Sequence, residues 1–65
     1  MDVRSFQGTD TLMIDFSDRE IVETRGVGED LVIELDADGK IVSLTIEHAG
    51  EHIDVSKLSY EWIPA

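Results

Sequence analysis

Cysteine is absent from the 65 residues, so no disulfide can staple the fold and no thiol nucleophile is available. Basic residues are scarce: five Lys and Arg face 15 Asp and Glu, for a formal charge of −10. Phosphate backbones and anionic lipid repel such a chain, so nucleic acid is not an expected ligand. Long apolar runs are also missing, and nothing approaches the ~20 residues of a membrane-spanning helix. The opening "MDVRSFQGTD" has neither the basic start nor the apolar stretch of a secretion signal. No membrane association and a cytoplasmic location are the expectations, and the lack of cysteine agrees with them.

A single small domain over residues 1–65 has a thin core, because a chain this short buries only ~60% of the surface that it exposes when unfolded. Reinforcement has to come from a metal, from an unusually good core or from association. Association is the least demanding of these, since a small sheet can cover one face with its own copy, and a homodimer is expected. The acidic surface serves solubility first; its sharper use is attraction of a basic partner protein, with mimicry of DNA as a special case.

What is present is mostly apolar alternation at period two, which predicts strands. Leu12, Ile14 and Phe16 alternate with Met13 and Asp15 in "TLMIDFSD", and a turn at Ser17, Asp18 and Arg19 separates this run from "EIVETRGV". In that second run the alternation is blurred by Ile21 beside Val22, and its charges suit an edge strand. "VGED" supplies the next turn, with Gly26 and Gly28 free to take positive φ. Leu31, Ile33 and Leu35 then line one face of "LVIELD", and Val42, Leu44 and Ile46 line one face of "KIVSLTIEH". A four-residue loop from Asp36 to Gly39 would set Leu35 opposite Lys40, Ile33 opposite Val42 and Leu31 opposite Leu44. Gly50 argues against a long helix after Ile46, so residues 47–53 are expected to form a turn or one helical turn. Lys57 to Ile63 is expected to be extended, stopped by Pro64. The fold class is mainly β: a small antiparallel β meander of four to five strands with at most a short helical turn near residues 47–53.

The loop "ELDADGKI" also copies the front of a calcium-binding loop, with Glu34, Asp36 and Asp38 at alternate positions. A complete loop of that type needs a bidentate Glu at its twelfth position and helical flanks. Counting from Glu34, the twelfth position is Thr45, and both flanks are strand-like. The turn reading is the better one: Asp first, Ala37 and Asp38 central and Gly fourth are type I turn preferences.

His48 and His52 have the four-residue spacing that places two imidazoles on one helical face, with Glu47 and Glu51 beside them. A zinc site would need a third ligand and a helix, and Ala49-Gly50 makes that helix poor. A metal-responsive binding protein using His48 and His52 is therefore the alternative reading; no metal or other cofactor is the first expectation. Catalysis has little to build on. The five serines, Ser5, Ser17, Ser43, Ser56 and Ser59, have no nucleophile-elbow context, and a small sheet offers little room for a pocket that would tune its many carboxylates. Gly26 and Gly28 are followed by Glu29 and Asp30, whose charges repel a phosphate. Tyr60, Trp62 and Ile63 remain as candidate interface residues, because Trp and Tyr concentrate binding energy at interfaces.

The order of "TDTLMIDFSD", "VETRGV" and "LVIELDADGKIVSLTIEHA" resembles the small prokaryotic proteins grouped as domain of unknown function family 2283. The likeness covers roughly residues 3–50, with two departures: the family's Tyr-Asp opening is Phe6-Gln7 here, and its usual Gly in the strand after the hairpin is Ser43. The resemblance implies the architecture and no assigned activity. Some family members are encoded beside small toxin-like proteins, which implies a neutralising role for those members. The expectation is thus a non-enzymatic protein-interaction module that works as a homodimer, with a basic toxin-like protein as a partner to be neutralised.

Overall fold

Side chains that alternate between the two faces of an extended chain write five short strands into residues 1–46. They are β1 (Asp2–Phe6), β2 (Thr11–Asp15), β3 (Glu23–Val27), β4 (Leu31–Leu35) and β5 (Ile41–Ile46). A single helical turn, α1 (Ala49–His52), and a 3-10 turn at Val55–Lys57 follow. The computed structural model describes residues 1–64. Among them no helix is long and apolar enough to cross a membrane.

All five strands form one antiparallel sheet in the order β1-β2-β5-β4-β3. The fold is mainly β with one short helix, as the alternation predicts. Strands β3, β4 and β5 make a meander, and the β1–β2 hairpin adds to its β5 side, so the long segment 16–22 carries the chain across the sheet. Strand β3 is an edge strand, as its charges suggest; β1, which the sequence pattern does not announce, is the other edge. Its apolar residues are Val3 and Phe6, three positions apart and so without alternation, because an exposed edge needs little.

The register puts the apolar residues of neighbouring strands side by side. Leu12 pairs with Ile46 and Ile46 with Leu31; Ile14 pairs with Leu44 and Leu44 with Ile33. Among the described residues, Leu12, Leu35, Val42 and Ala49 are the buried apolar ones, with Leu12 the most completely covered. A core this small tolerates little loss: truncating a buried leucine to alanine costs about 2–5 kcal/mol, comparable with the whole ~3–5 kcal/mol that such a core supplies.

The β4–β5 hairpin forms, but out of the expected register, by one residue at Leu35 and by two from Glu34 back to Leu31. Ile33 lies opposite Leu44 rather than Val42, Leu31 opposite Ile46 rather than Leu44, and Leu35 opposite Ile41 rather than Lys40. Two features cause this. Asp36 pairs with Lys40, whose carbonyl accepts from Asp36 N at 2.9 Å, so the loop proper is the three residues between them. A bulge beside Glu34 and Leu35 then inserts Val42 as an extra residue on β5. Gly39 takes φ +79°, the left-handed conformation that a three-residue hairpin loop requires after its turn.

Beyond α1 the chain leaves the sheet. The segment expected to be extended from Lys57 to Ile63 begins with Lys57 inside the 3-10 turn, and residues 58–64 join no strand.

Candidate functional site

Each end of the β4–β5 hairpin is organised by an aspartate. At the closed end, Asp36 Oδ1 accepts from the amides of Asp38 and Lys40, both at 2.9 Å, and Oδ2 accepts from Arg19 Nη1 at 2.9 Å. Gly39 N donates to the Asp36 carbonyl at 3.0 Å, closing the turn. The Lys40 amide above all, with Arg19 and the Asp38 amide, outweighs burial and holds the Asp36 carboxyl below its ordinary pKa. Its oxygens are committed to the turn, a structural role that explains the ligand-like spacing of "ELDADG".

At the open end, Asp30 follows the turn at Gly28 and leads into β4. The Glu47 amide donates to the Asp30 carbonyl at 2.7 Å, so the ladder continues one step past β5 and delivers the next residue, His48, to the Asp30 side chain. His48 Nδ1 lies 3.0 Å from Asp30 Oδ1, and His52 Nε2 lies 2.7 Å from Asp30 Oδ2. The sequence spacing of the two histidines is thus realised, but their meeting point is a carboxylate 18 and 22 residues away. The hydrogen bonds from His52 and then His48 lower the Asp30 pKa. Reciprocally, the hydrogen bond and charge of Asp30, aided by Glu51 and Glu47, raise His48 above its ordinary 6.5. The Asp30–His48 contact therefore contributes fully between the ordinary values of 3.8 and 6.5, and is lost as pH rises through the elevated His48 value or falls through the depressed Asp30 value.

Helix α1 is too short to hold itself, since one turn fixes many dihedrals for few hydrogen bonds. Outside contacts hold it. The Asp10 carbonyl accepts from Ala49 N at 2.8 Å, and Asp10 Oδ1 accepts from Gly50 N at 3.0 Å, a cap supplied from 40 residues earlier. A Cβ on Gly50 would lie 3.3 Å from Asp10 Oδ1, so glycine here permits the close approach. Among the described residues, Asp10 and His48 are the positive-φ residues other than glycine, at φ 54° and 51°, and both belong to this corner. At His48 that conformation turns the chain from β5 into α1.

Asp30, His48 and Glu51 each offer a ligand atom, and the three atoms lie within 4.8 Å of one another. Beside them opens a groove of about 480 Å³, floored by the cross-strand row Val27, Leu31 and Ile46 and bordered by Glu29, Asp30 and His52. Tyr60, Trp62 and Ile63 are 73%, 81% and 75% exposed. The sequence pattern brings out His48, His52 and the aromatics; it does not bring out Asp30, whose partnership depends on the register.

A small antiparallel sheet with a carboxylate–histidine cluster at one hairpin end is the class of protein defined by this geometry. The chain belongs to the family described as protein of unknown function (DUF2283), which matches residues 6–49. Comparison with curated proteins gives no match, and comparison with solved structures gives none.

Proposed function

We propose that the chain is a non-enzymatic protein-interaction module that works as a homodimer, with Tyr60, Trp62 and Ile63 of each copy seated against the other copy's groove. The observation that carries this reading is the amount of surface one chain leaves uncovered. A single copy exposes 5182 Å², whereas a compact monomer of this mass exposes roughly 4200 Å². The excess, about 1000 Å², is close to the ~800 Å² that each partner contributes to a standard protein interface. The radius of gyration, 12.9 Å, likewise exceeds the roughly 11 Å of a compact domain this long.

Chemistry supports the same pairing. Val27, Leu31 and Ile46 form an apolar floor, and Tyr60, Trp62 and Ile63 are large apolar groups without cover. Tyr and Trp each bury about 150–250 Å² when they dock. The charge of −10 on each copy opposes self-association, so salt, by screening it, tightens the dimer. The acidic surface outside the contact suits a basic protein, the chemistry of the toxin-like partner that the family resemblance implies.

Sedimentation equilibrium at 50 and 500 mM NaCl, as rough low- and high-screening conditions, tests the homodimer. The expected result is twice the chain mass, with tighter association in high salt, and a shift to monomer for the Trp62→Ala, Ile63→Ala double variant. A monomer at both salt concentrations overturns it. For the second partner, the native complex purified from its own cell should hold a basic protein in stoichiometric amount; a dimer alone counts against that part.

A further inference from the structure

The corner that joins β4, β5 and α1 carries more than a dimer contact requires. Two imidazoles converge on one carboxylate, and the Glu51 carboxylate completes the group on the exposed side of α1. Neither histidine is needed as a cap: His48 makes no side-chain capping bond, and Asp10 fills that role from another loop. Nor do they serve the core, because both are exposed. Their hydrogen bonds to Asp30 tie α1 to β4, and the same convergence places an imidazole nitrogen and two carboxylates where they could share one ligand.

We propose that Asp30, His48 and Glu51 bind one divalent transition-metal ion per chain, of the zinc class, and that His52 positions Asp30 for it. The spacing fits. Around a tetrahedral zinc ion with bonds near 2.0–2.2 Å, neighbouring ligand atoms lie about 3.4 Å apart. His48 Nδ1 and Asp30 Oδ1 lie 3.0 Å apart, and the Glu51 oxygen is within 4.8 Å of both. Rotation of two exposed side chains closes the remaining gap. The ion would replace the His48–Asp30 hydrogen bond, taking Nδ1 of a neutral imidazole and Oδ1 of the carboxylate. Asp30 Oδ2 stays on His52 Nε2, which lies 2.7 Å away and donates to it. A ligand carboxylate held by an imidazole N–H has a fixed orientation, as an oriented ligand shell requires.

The donor set also selects the ion. One imidazole nitrogen with two carboxylate oxygens suits Zn²⁺, Co²⁺ and Ni²⁺, whereas Ca²⁺ and Mg²⁺ prefer oxygen ligands alone, in greater number. Three protein ligands leave one position of a tetrahedron open toward solvent. Two of the three ligands are anionic, on a chain of charge −10, so a cation is electrostatically welcome. Bound there, it ties α1 to the head of β4, a connection that now depends on hydrogen bonds to two histidines.

The test is titration of the full chain with ZnCl₂ by calorimetry, alongside CoCl₂ titration followed by visible absorption, which is intense for four-coordinate and weak for six-coordinate cobalt. One saturating ion per chain is expected, with a four-coordinate cobalt spectrum and no competition from equimolar CaCl₂. Affinity should fall at least about ten-fold in Asp30→Asn and in His48→Gln, and less in His52→Gln, which retains a side-chain donor. Asp18→Asn, away from the corner, should bind as the parent does. Circular dichroism checks folding, and if Asp30→Asn is unfolded the exposed Glu51→Gln carries the comparison. Absence of saturable zinc binding overturns the proposal, as does binding unchanged in both His48→Gln and Glu51→Gln. Equal losses in His52→Gln and His48→Gln overturn the positioning role and make His52 a direct ligand.

Discussion

Asp36 and Asp30 bracket the same hairpin, six residues apart, yet they are satisfied by different kinds of partner. Asp36, with a side chain only 6% exposed, spends its oxygens mainly on backbone amides within four residues. Asp30, at 24% exposed, spends its oxygens on two side chains far along the chain, His48 just before α1 and His52 at its end. Backbone amides neither titrate nor bind metal, so the closed end is a permanent piece of the fold. Imidazoles do both, so the open end is exchangeable. The contrast teaches that an aspartate's partners, more than its own surroundings, decide whether it is scaffold or site.

The largest effect that would break this contrast is expected from Asp36→Ala. It leaves the amides of Asp38 and Lys40 without their acceptor and frees Arg19. Thermal denaturation should register a fall in Tm on the order of 10 °C; a change no larger than that of Asp30→Ala would erase the distinction between the ends. Gly39→Ala comes next, because φ +79° strains any side chain. It should cost about 1–2 kcal/mol in denaturant unfolding, with Gly39→Asn costing less.

Acid sharpens the comparison further. Because the Asp36 pKa is depressed, its contribution is present above the ordinary 3.8 and is lost as pH falls through the lower folded value. Protection of the Asp38 and Lys40 amides, taken relative to intrinsic exchange at each pH, should fall only below about pH 4, and this fall should be missing in Asp36→Asn. The smallest change in stability is expected from Asp30→Asn. Its Tm should stay within about 3 °C of the parent in metal-free buffer, since its bonds are to exposed side chains.

Much of the fold is legible in the residues. Leu12-Ile14, Leu31-Ile33-Leu35 and Leu44-Ile46 alternate cleanly and become strands. Asp36, Ala37, Asp38 and Gly39 carry their turn in their own chemistry. Strand β1 is less legible because Val3 and Phe6 do not alternate, and segment 16–22 hides the pairing of β2 with β5, whose partners such as Leu12 and Ile46 lie far apart in the chain. At the candidate site, His48 and His52 stand out by spacing, whereas Asp30 looks like one more acidic turn residue.

The reason is geometric. The expected register sets Asp30 opposite Thr45; the observed one sets it opposite Glu47, bringing it within reach of both histidines. A slip of two residues moves a strand by about 6.8 Å but leaves every side chain on its own face. Alternation cannot tell the two registers apart. The sequence by itself determined strands β2 to β5, the aspartate turn, the acidic surface and the histidine spacing, which rest on composition or on neighbours a few residues apart. Only the tertiary structure decided strand order, the Val42 bulge and the partnership of Asp30 with His48 and His52, because these depend on which distant residues a single ladder of hydrogen bonds sets side by side.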